Sequence, residues 1–429
     1  MEEIKFGQKG PMIEYIQSIF QKEIDTSTKV NGIFDSELLE KVKIFQERNK
    51  LLPDGIIGSN TFPTLLPYLY GYSKHVIQAQ DSSQTLTKQY KVSWERILWA
   101  NPGLQEEHLD SGDCILIPKG HVVPNNIHYS YDIMQMNLHT FSILYPFLKI
   151  SHIGYSEHGR KLSCVRIGKG RKEIFYSASF HANEWITTPV LMKFIERFSI
   201  AYAENGNIYG QKAKSLFEQV SIYLIPMVNP DGVDLVTGAI PPHSAIYQNA
   251  SEIALKYPDI PFPEGWKANI KGIDLNLQFP AHWEKAKENK YALGFTSPAP
   301  RDYVGPRSLY AVEAKLIYQF TLAHDFKLIL AYHTQGEVIY WKYLDYLPKH
   351  SEKIALAFET ASGYALEETP YASSFAGYKD WFIQRYNRPG YTIEAGMGES
   401  PLPVGDFPKI YSDNEGILAL GAALTNTYL

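Results

Sequence analysis

Apolar positions follow two rhythms along this chain. In its first part Ile13, Ile16, Ile19 and Phe20 recur at helical spacing, as do Leu38, Val42 and Phe45. Two turn segments, Val30-Asn-Gly-Ile-Phe-Asp35 and Leu52-Pro-Asp-Gly-Ile-Ile-Gly58, each lead toward a helix, with Asp35 or Ser59 as the expected cap. Later, strand-like apolar runs at 162–167, 174–179, 222–228, 328–332 and 391–394 alternate with helical stretches that include 188–202 and 309–324. This alternation predicts an α/β sheet covered by helices on both faces. In such sheets functional groups gather at strand ends.

The ends of three of these runs carry metal chemistry. Ser179-Phe-His181-Ala-Asn-Glu184 places an imidazole and a carboxylate where a strand gives way to a loop and helix. Both can bind one zinc ion, and catalytic zinc takes three protein ligands with a fourth position left to water. The run Phe326-Lys-Leu-Ile-Leu-Ala-Tyr-His333 offers the third ligand. Gly390-Tyr-Thr-Ile-Glu394 delivers a carboxylate suited to act as general base. Alone, His-x-x-Glu is a weak signal; three strand ends supplying His/Glu, His and Glu make a strong one.

From about residue 127 to the C-terminus this ordered set resembles the zinc metallocarboxypeptidase family. Asn229-Pro-Asp-Gly232, Gly272-Ile-Asp-Leu-Asn276 and Gly377-Tyr-Lys-Asp380-Trp381 match further family segments in the same order. The resemblance implies one zinc per chain, held by His181, Glu184 and His333, with Glu394 as general base and acid. Zinc lowers the pKa of bound water from 15.7 toward about 7, so hydrolysis can proceed at neutral pH. It also implies substrate binding by Asn276 and by Tyr371, which resembles the mobile tyrosine that the family folds over its substrate.

Departures from the family point to the substrate. Digestive carboxypeptidases place an Arg after the Asn of Asp-x-Asn-Arg, where it grips the C-terminal carboxylate in a bidentate fashion. Here Leu277 stands in that place, and Asn183 replaces the Arg common between the zinc ligands. Lys267 occupies roughly the position of another family Arg and is a candidate to polarise the scissile carbonyl. The combination resembles the branch of bacterial γ-D-glutamyl-L-diamino acid endopeptidases. That branch cuts between γ-D-Glu and meso-diaminopimelate or Lys in peptidoglycan stem peptides.

Two small modules are expected ahead of the catalytic domain. Residues 1–70 resemble a three-helix peptidoglycan-binding module. Residues 74–118 resemble LysM, a strand-helix-helix-strand glycan-binding fold that opens at His75, caps its first helix at Asp81-Ser82 and closes at 112–118. Gln80 stands where that family usually has Gly. Residues 119–126 read as a linker and 127–429 as an α/β mixed-sheet catalytic domain. Both modules point to the glycan strands of peptidoglycan, and tethering weak glycan contacts to an enzyme raises its effective concentration at the wall.

Composition removes other classes. A formal charge of −5 provides no basic footprint for nucleic acid. No stretch approaches the roughly 18 apolar residues of a membrane span. The N-terminus lacks an apolar export segment, so the expected location is the cytoplasm, including that of a mother cell, or the wall after non-classical release. Two cysteines, Cys114 and Cys164, cannot form a disulfide framework, and Cys164 reads as a small buried hydrophobe. Two rivals stay open: a carboxypeptidase for ordinary L-peptides, and a non-catalytic wall-binding protein.

Overall fold

The computed structural model describes residues 3–105 and 109–429. Residues 1–2 and 106–108, the latter within the expected second module, lie outside those described. The chain forms two compact units. One comprises the chain up to Leu148 together with Ser199–Gly206, and the other Lys149–Phe198 with Asn207–Leu429.

The first unit begins with helices α1 (Pro11–Glu23), α2 (Ser36–Arg48) and α3 (Phe62–Leu69). Ile13, Ile16, Phe20, Leu38, Val42 and Phe45 are buried, as their spacing predicts, whereas Ile19 is half-buried. Asp35 caps α2 by accepting from the Leu38 N–H at 2.9 Å. Ser59 is not a cap: α3 starts from Thr61, whose hydroxyl instead donates to the Ile56 carbonyl and accepts from Gln46. The repeated Asn/Asp-Gly-Ile turns have a physical cause. A buried glutamine reads each one: Gln17 accepts from Gly32 N and donates to Ile33 O, and Gln46 accepts from Gly55 N and donates to Ile56 O. Gly55 lies at φ +74°, and a Cβ there would collide with Leu39, so only glycine serves the turn.

Strand β1 (Tyr72–Val76), helices α4 (Ser83–Tyr90) and α5 (Trp94–Ala100), and strand β2 (Cys114–Pro118) follow in the predicted order, with β1 and β2 antiparallel. Ile77, Leu86, Val92, Ile97, Ile115 and Ile117 form their core. Ser82 caps α4 in a reciprocal box with Thr85. The turn containing Gln80 closes without glycine, because Asp81 accepts from Gln78 N at 2.7 Å and faces His75 Nε2 at 2.8 Å. The expected linker is itself held, since Arg96 donates to the carbonyls of Lys119 and Gly120. Helix α6 (Tyr131–Leu144), expected to open the catalytic domain, clusters with this first unit, and its Asn137 bonds both Tyr129 and Tyr15.

The second unit is built on strands β3 (Lys149–Tyr155), β4 (Lys161–Ile167) and β5 (Lys172–Ala178), the short pair β6 (Asn207–Ile208) and β7 (Gln211–Lys212), then β8 (Val220–Ile225), β9 (Phe326–His333), β10 (Val338–Tyr340), β11 (Ala365–Glu367) and β12 (Gly390–Glu394). Apart from β6 and β7 they form one eight-stranded sheet in the order β11-β10-β12-β9-β5-β8-β4-β3. It is mixed: β12, β9, β5 and β8 run parallel, while β10 pairs antiparallel with β12, and β4 with both β3 and β8. Continuous apolar runs such as Ile174-Phe175-Tyr176 and Leu328-Ile329-Leu330 are fully buried, as expected for parallel strands covered on both faces. Cys164 is among the buried residues, and burial pushes its thiol up to about 12. No helix among the described residues is long and apolar enough to cross a membrane.

Candidate metal centre and substrate cavity

Three adjacent central strands, β5, β9 and β12, end at the same edge, and each supplies part of one cluster. Just past β5 the chain turns through Ser179, at φ +52°. A non-glycine residue in the left-handed region needs local support. Thr187 and Thr188 provide it: both hydroxyls face Ser179 Oγ, at 3.0 and 2.8 Å, and Thr187 also accepts from the Ser179 N–H. The turn projects His181 and, from the following short 3-10 segment Ala182–Glu184, Glu184. His333 is the last residue of β9, and Glu394 the last of β12, its register partner.

The donor atoms converge. His181 Nδ1 lies 2.8 Å from Glu184 Oε1, His333 Nδ1 lies 2.8 Å from Glu184 Oε2, and the two Nδ1 atoms are 3.2 Å apart. Ligand atoms of the three residues all fall within 4.8 Å of one another. Asp274 Oδ1 faces His181 Nε2 at 3.2 Å, the carboxylate–imidazole contact that fixes the tautomer and turns the other nitrogen toward a metal. His333 Nε2 is buried without a hydrogen-bond partner. Two imidazoles and a carboxylate pointing at one space, with a supporting carboxylate behind, are the donor set of a three-ligand zinc site.

Charge explains why the cluster holds together. Glu184 is 1% exposed, and burying a lone ion costs several kcal/mol even after relaxation. Burial alone would raise its pKa, but His181, Lys267 and His333 outweigh it and hold the carboxyl well below its usual range. Burial likewise disfavours charge on His181, yet Glu184 and Asp274 push it up to about 9. Glu394 differs: burial, with Glu184 nearby, raises its pKa despite the imidazoles.

A cavity of about 240 Å³ opens over the cluster and is lined by all three ligand residues, Glu394, Lys267, Asn276 and Leu277. Lys267 Nζ sits 3.0 Å from Glu184 Oε1. Its segment is tied to the metal loop through the Ala182 N–H, which donates to Lys267 O, and through Asn229, which bonds both Phe180 O and Ala268 O. Asn229-Pro-Asp-Gly232 is therefore scaffolding: a Cβ on Gly232 would meet Asn229, Ala182 and Ala268 within 2.8 Å. Leu277 packs with Trp283, Val304, Phe375 and Ala376 in an apolar wall. Two residues expected to bind substrate lie elsewhere. Asn183 is buried, donates to Ser400 O at 3.3 Å and lines a neighbouring cavity of about 690 Å³. Tyr371 is 65% exposed and packs edge-on against Phe375; its neighbours Thr369, Pro370 and Ser373 line the first cavity in its stead.

Three further charged residues stand in the wall: Lys379 and Asp380, from the segment 377–381 that the sequence singled out, and Arg301, which carried no sequence signal. Lys379 and Asp380 form a buried ion pair at 2.7 Å. Arg301, in an irregular segment between Pro300 and Asp302, lines both cavities. Loop residues such as Arg301 have no periodicity to betray them.

Comparison with known proteins agrees with this architecture. Residues 134–415 match the family model described as zinc carboxypeptidase. The chain belongs to the zinc carboxypeptidase family. Residues 9–65 match a putative peptidoglycan binding domain. Among similar proteins, the gamma-D-glutamyl-L-diamino acid endopeptidase 1 of Lysinibacillus sphaericus is 42% identical over 297 residues, covering 69% of this chain and 73% of that protein. The uncharacterized protein YqgT of Bacillus subtilis is 39% identical, covering 64% of this chain and 72% of its own. The crystal structure of carboxypeptidase A from Helicoverpa armigera superimposes with a TM-score of 0.54 at 15% identity, covering 99% of both chains, and so shares the fold. As a member of this zinc carboxypeptidase family the protein is a zinc metallopeptidase, and His181, Glu184 and His333 fit the metal.

Proposed function

We propose that this zinc carboxypeptidase relative hydrolyses peptidoglycan stem peptides at the bond between γ-D-Glu and the following diamino acid, meso-diaminopimelate or Lys. The observation that carries this reading is Leu277. At the wall where a guanidinium would demand a free α-carboxylate, the cavity presents a leucine packed among apolar neighbours. A substrate that continues past the diamino acid is then acceptable. The activity for which the 42% identical relative is named supports the same reaction, and the match to a peptidoglycan binding domain supports the same polymer. In this reading the strand-helix-helix-strand module at 74–118 is a LysM-like second glycan contact.

His181, Glu184 and His333 would hold the zinc, which when bound would supply a Lewis acid able to activate water near neutral pH. Glu394, beside His333 in register, takes the proton of the attacking water and passes it to the departing amine. Lys267 lies where its ammonium can stabilise negative charge on the scissile carbonyl oxygen. Asp274 keeps His181 oriented as a ligand. Asn276 has its Oδ1 engaged by the Tyr378 N–H at 3.0 Å, which leaves its amide N–H₂ to donate to substrate. Asn183, holding Ser400 at the neighbouring cavity, positions wall rather than substrate.

The zinc-loaded protein should cut L-Ala-γ-D-Glu-meso-diaminopimelate and its D-Ala-extended form between D-Glu and the diamino acid, and leave a conventional L-dipeptide nearly untouched. Preference for the L-dipeptide would replace this function with that of an ordinary carboxypeptidase.

A further inference from the structure

The two cavities of the second unit meet at Lys267, Arg301 and Thr334. The smaller holds the metal ligands and Leu277; the larger carries three carboxylates, Asp259, Glu264 and Glu399. Among the residues lining the larger cavity the cationic side chains, Lys267 and Arg301, stand at the junction. There Lys267 is already engaged by Glu184 at 3.0 Å. Arg301 is not so committed.

Its guanidinium uses only Nε, donating to Asp302 Oδ2 at 2.6 Å, and among the described residues no group pairs with its outer edge. The same Asp302 carboxylate is shared with Lys290, at 2.6 Å. Two cations thus share that one carboxylate, with Asp274 and Glu184 acting on Arg301 at longer range. The position is also built. Pro300 O accepts from both Lys267 N and Ala268 N, and Asp302 N donates to Asp274 Oδ2, the carboxylate that orients His181. Arg301 is thus fixed to the segments that frame the metal, its open edge facing the space where the two cavities join.

Resting on the function proposed above, we infer that Arg301 binds the free α-carboxylate of the γ-linked D-Glu. In a γ-linkage the scissile carbonyl is the side-chain carboxyl, so the α-carboxylate branches from the third carbon beyond it, on the acyl side of the bond. That is the side away from Leu277. A guanidinium edge matches a carboxylate with two parallel hydrogen bonds, which an ammonium cannot reproduce. Specificity for γ-D-Glu is therefore supplied by a charge that has moved from the leaving-group wall to the acyl wall. A stem peptide whose D-Glu α-carboxyl is amidated has no anion to offer and becomes a poor substrate.

The test compares kcat/KM on L-Ala-γ-D-Glu-meso-diaminopimelate with that on its α-amidated counterpart, for the zinc-loaded wild type, Arg301→Gln and Arg301→Lys. The wild type should favour the carboxylate at least about tenfold, the scale of one charged hydrogen-bonded contact. Arg301→Gln should lose that preference through a loss on the carboxylate substrate, and Arg301→Lys should keep part of it. Zinc content and melting temperature, read alongside, should be unchanged because the side chain is 45% exposed. A wild type indifferent to amidation, or a preference that survives in Arg301→Gln, overturns the assignment while leaving the proposed function intact. Cleavage of neither peptide by the wild type overturns the proposed function, and this inference with it.

Discussion

The two sides of the catalytic cavity are built by different means. The metal side is made at the ends of three neighbouring parallel strands, whose register sets His333 beside Glu394 and from one of which the turn carrying His181 continues. The substrate side is made from irregular segments around residues 267–277, 298–302 and 369–380, pinned by side-chain and backbone hydrogen bonds. Strand ends are rigid and repeat a simple geometry, so they suit chemistry that tolerates little displacement. Loops can change residue by residue without disturbing the sheet, so they suit specificity. In the function proposed here the reaction class lives on the first side, and the choice of substrate on the second.

The sharpest way to break this division is at a strand end. His333→Ala removes one of three ligands and should abolish both activity and stable zinc binding, read by metal analysis of the dialysed protein. Full zinc content with normal turnover would remove His333 from the site. Glu394→Gln comes next. It should keep zinc and fold while losing about 10²–10⁴-fold in turnover, the usual worth of a positioned general base. Near-native turnover would place proton transfer elsewhere.

On the loop side the effects should be smaller and should alter preference. Leu277→Arg inserts a cation into the wall formed with Trp283 and Phe375. Cleavage of the γ-D-Glu bond should fall relative to an L-dipeptide by at least about tenfold, the scale of one charged hydrogen bond. An unchanged ratio of the two kcat/KM values would show that this wall does not select substrate.

The smallest expected effect concerns the support beneath the loops. Buried Glu313 accepts from Asn269 Nδ2, and Asn269 Oδ1 in turn accepts from the N–H groups of Lys271 and Ile273. Burial pushes the Glu313 carboxyl up to about 7, against 4.5 for an ordinary Glu. A raised folded pKa means that the folded state retains a proton the unfolded chain releases. Its contribution is thus fully present below pH 4.5 and is lost as pH rises through about 7. Melting temperature should decline over that window in the wild type and decline less in Glu313→Gln. Parallel profiles would show that Glu313 does not titrate in the folded protein.

This contrast also explains what could be read from sequence. The strand runs stood out because buried parallel strands are continuous apolar segments, and the ligands follow from residue type at their ends. Strands β3, β10 and β11 did not: they are short or partly exposed, with burial patterns that blur any period. Gln17 was invisible as the reader of its Asn-Gly-Ile turn, since a buried glutamine looks like any polar residue on a helix; Gln46 matches an expected position of the peptidoglycan-binding module, but its part in the Asp-Gly-Ile turn shows only in the fold. Tyr371, expected as a mobile tyrosine that folds over substrate, is exposed beside Phe375 in this structure. Arg301 and Asp302 acquire meaning only when the chain brings Lys290 and Asp274 to them.

The central claim is that hydrolysis occurs at the γ-carbonyl of D-Glu, and an isotope experiment tests it most directly. The zinc-loaded protein is incubated with L-Ala-γ-D-Glu-meso-diaminopimelate in water enriched in the heavy oxygen isotope, and the products are read by tandem mass spectrometry. The expected result is free diaminopimelate without label and L-Ala-D-Glu carrying one heavy oxygen in its γ-carboxyl. Heavy oxygen in L-Ala, or an intact tripeptide, would contradict it.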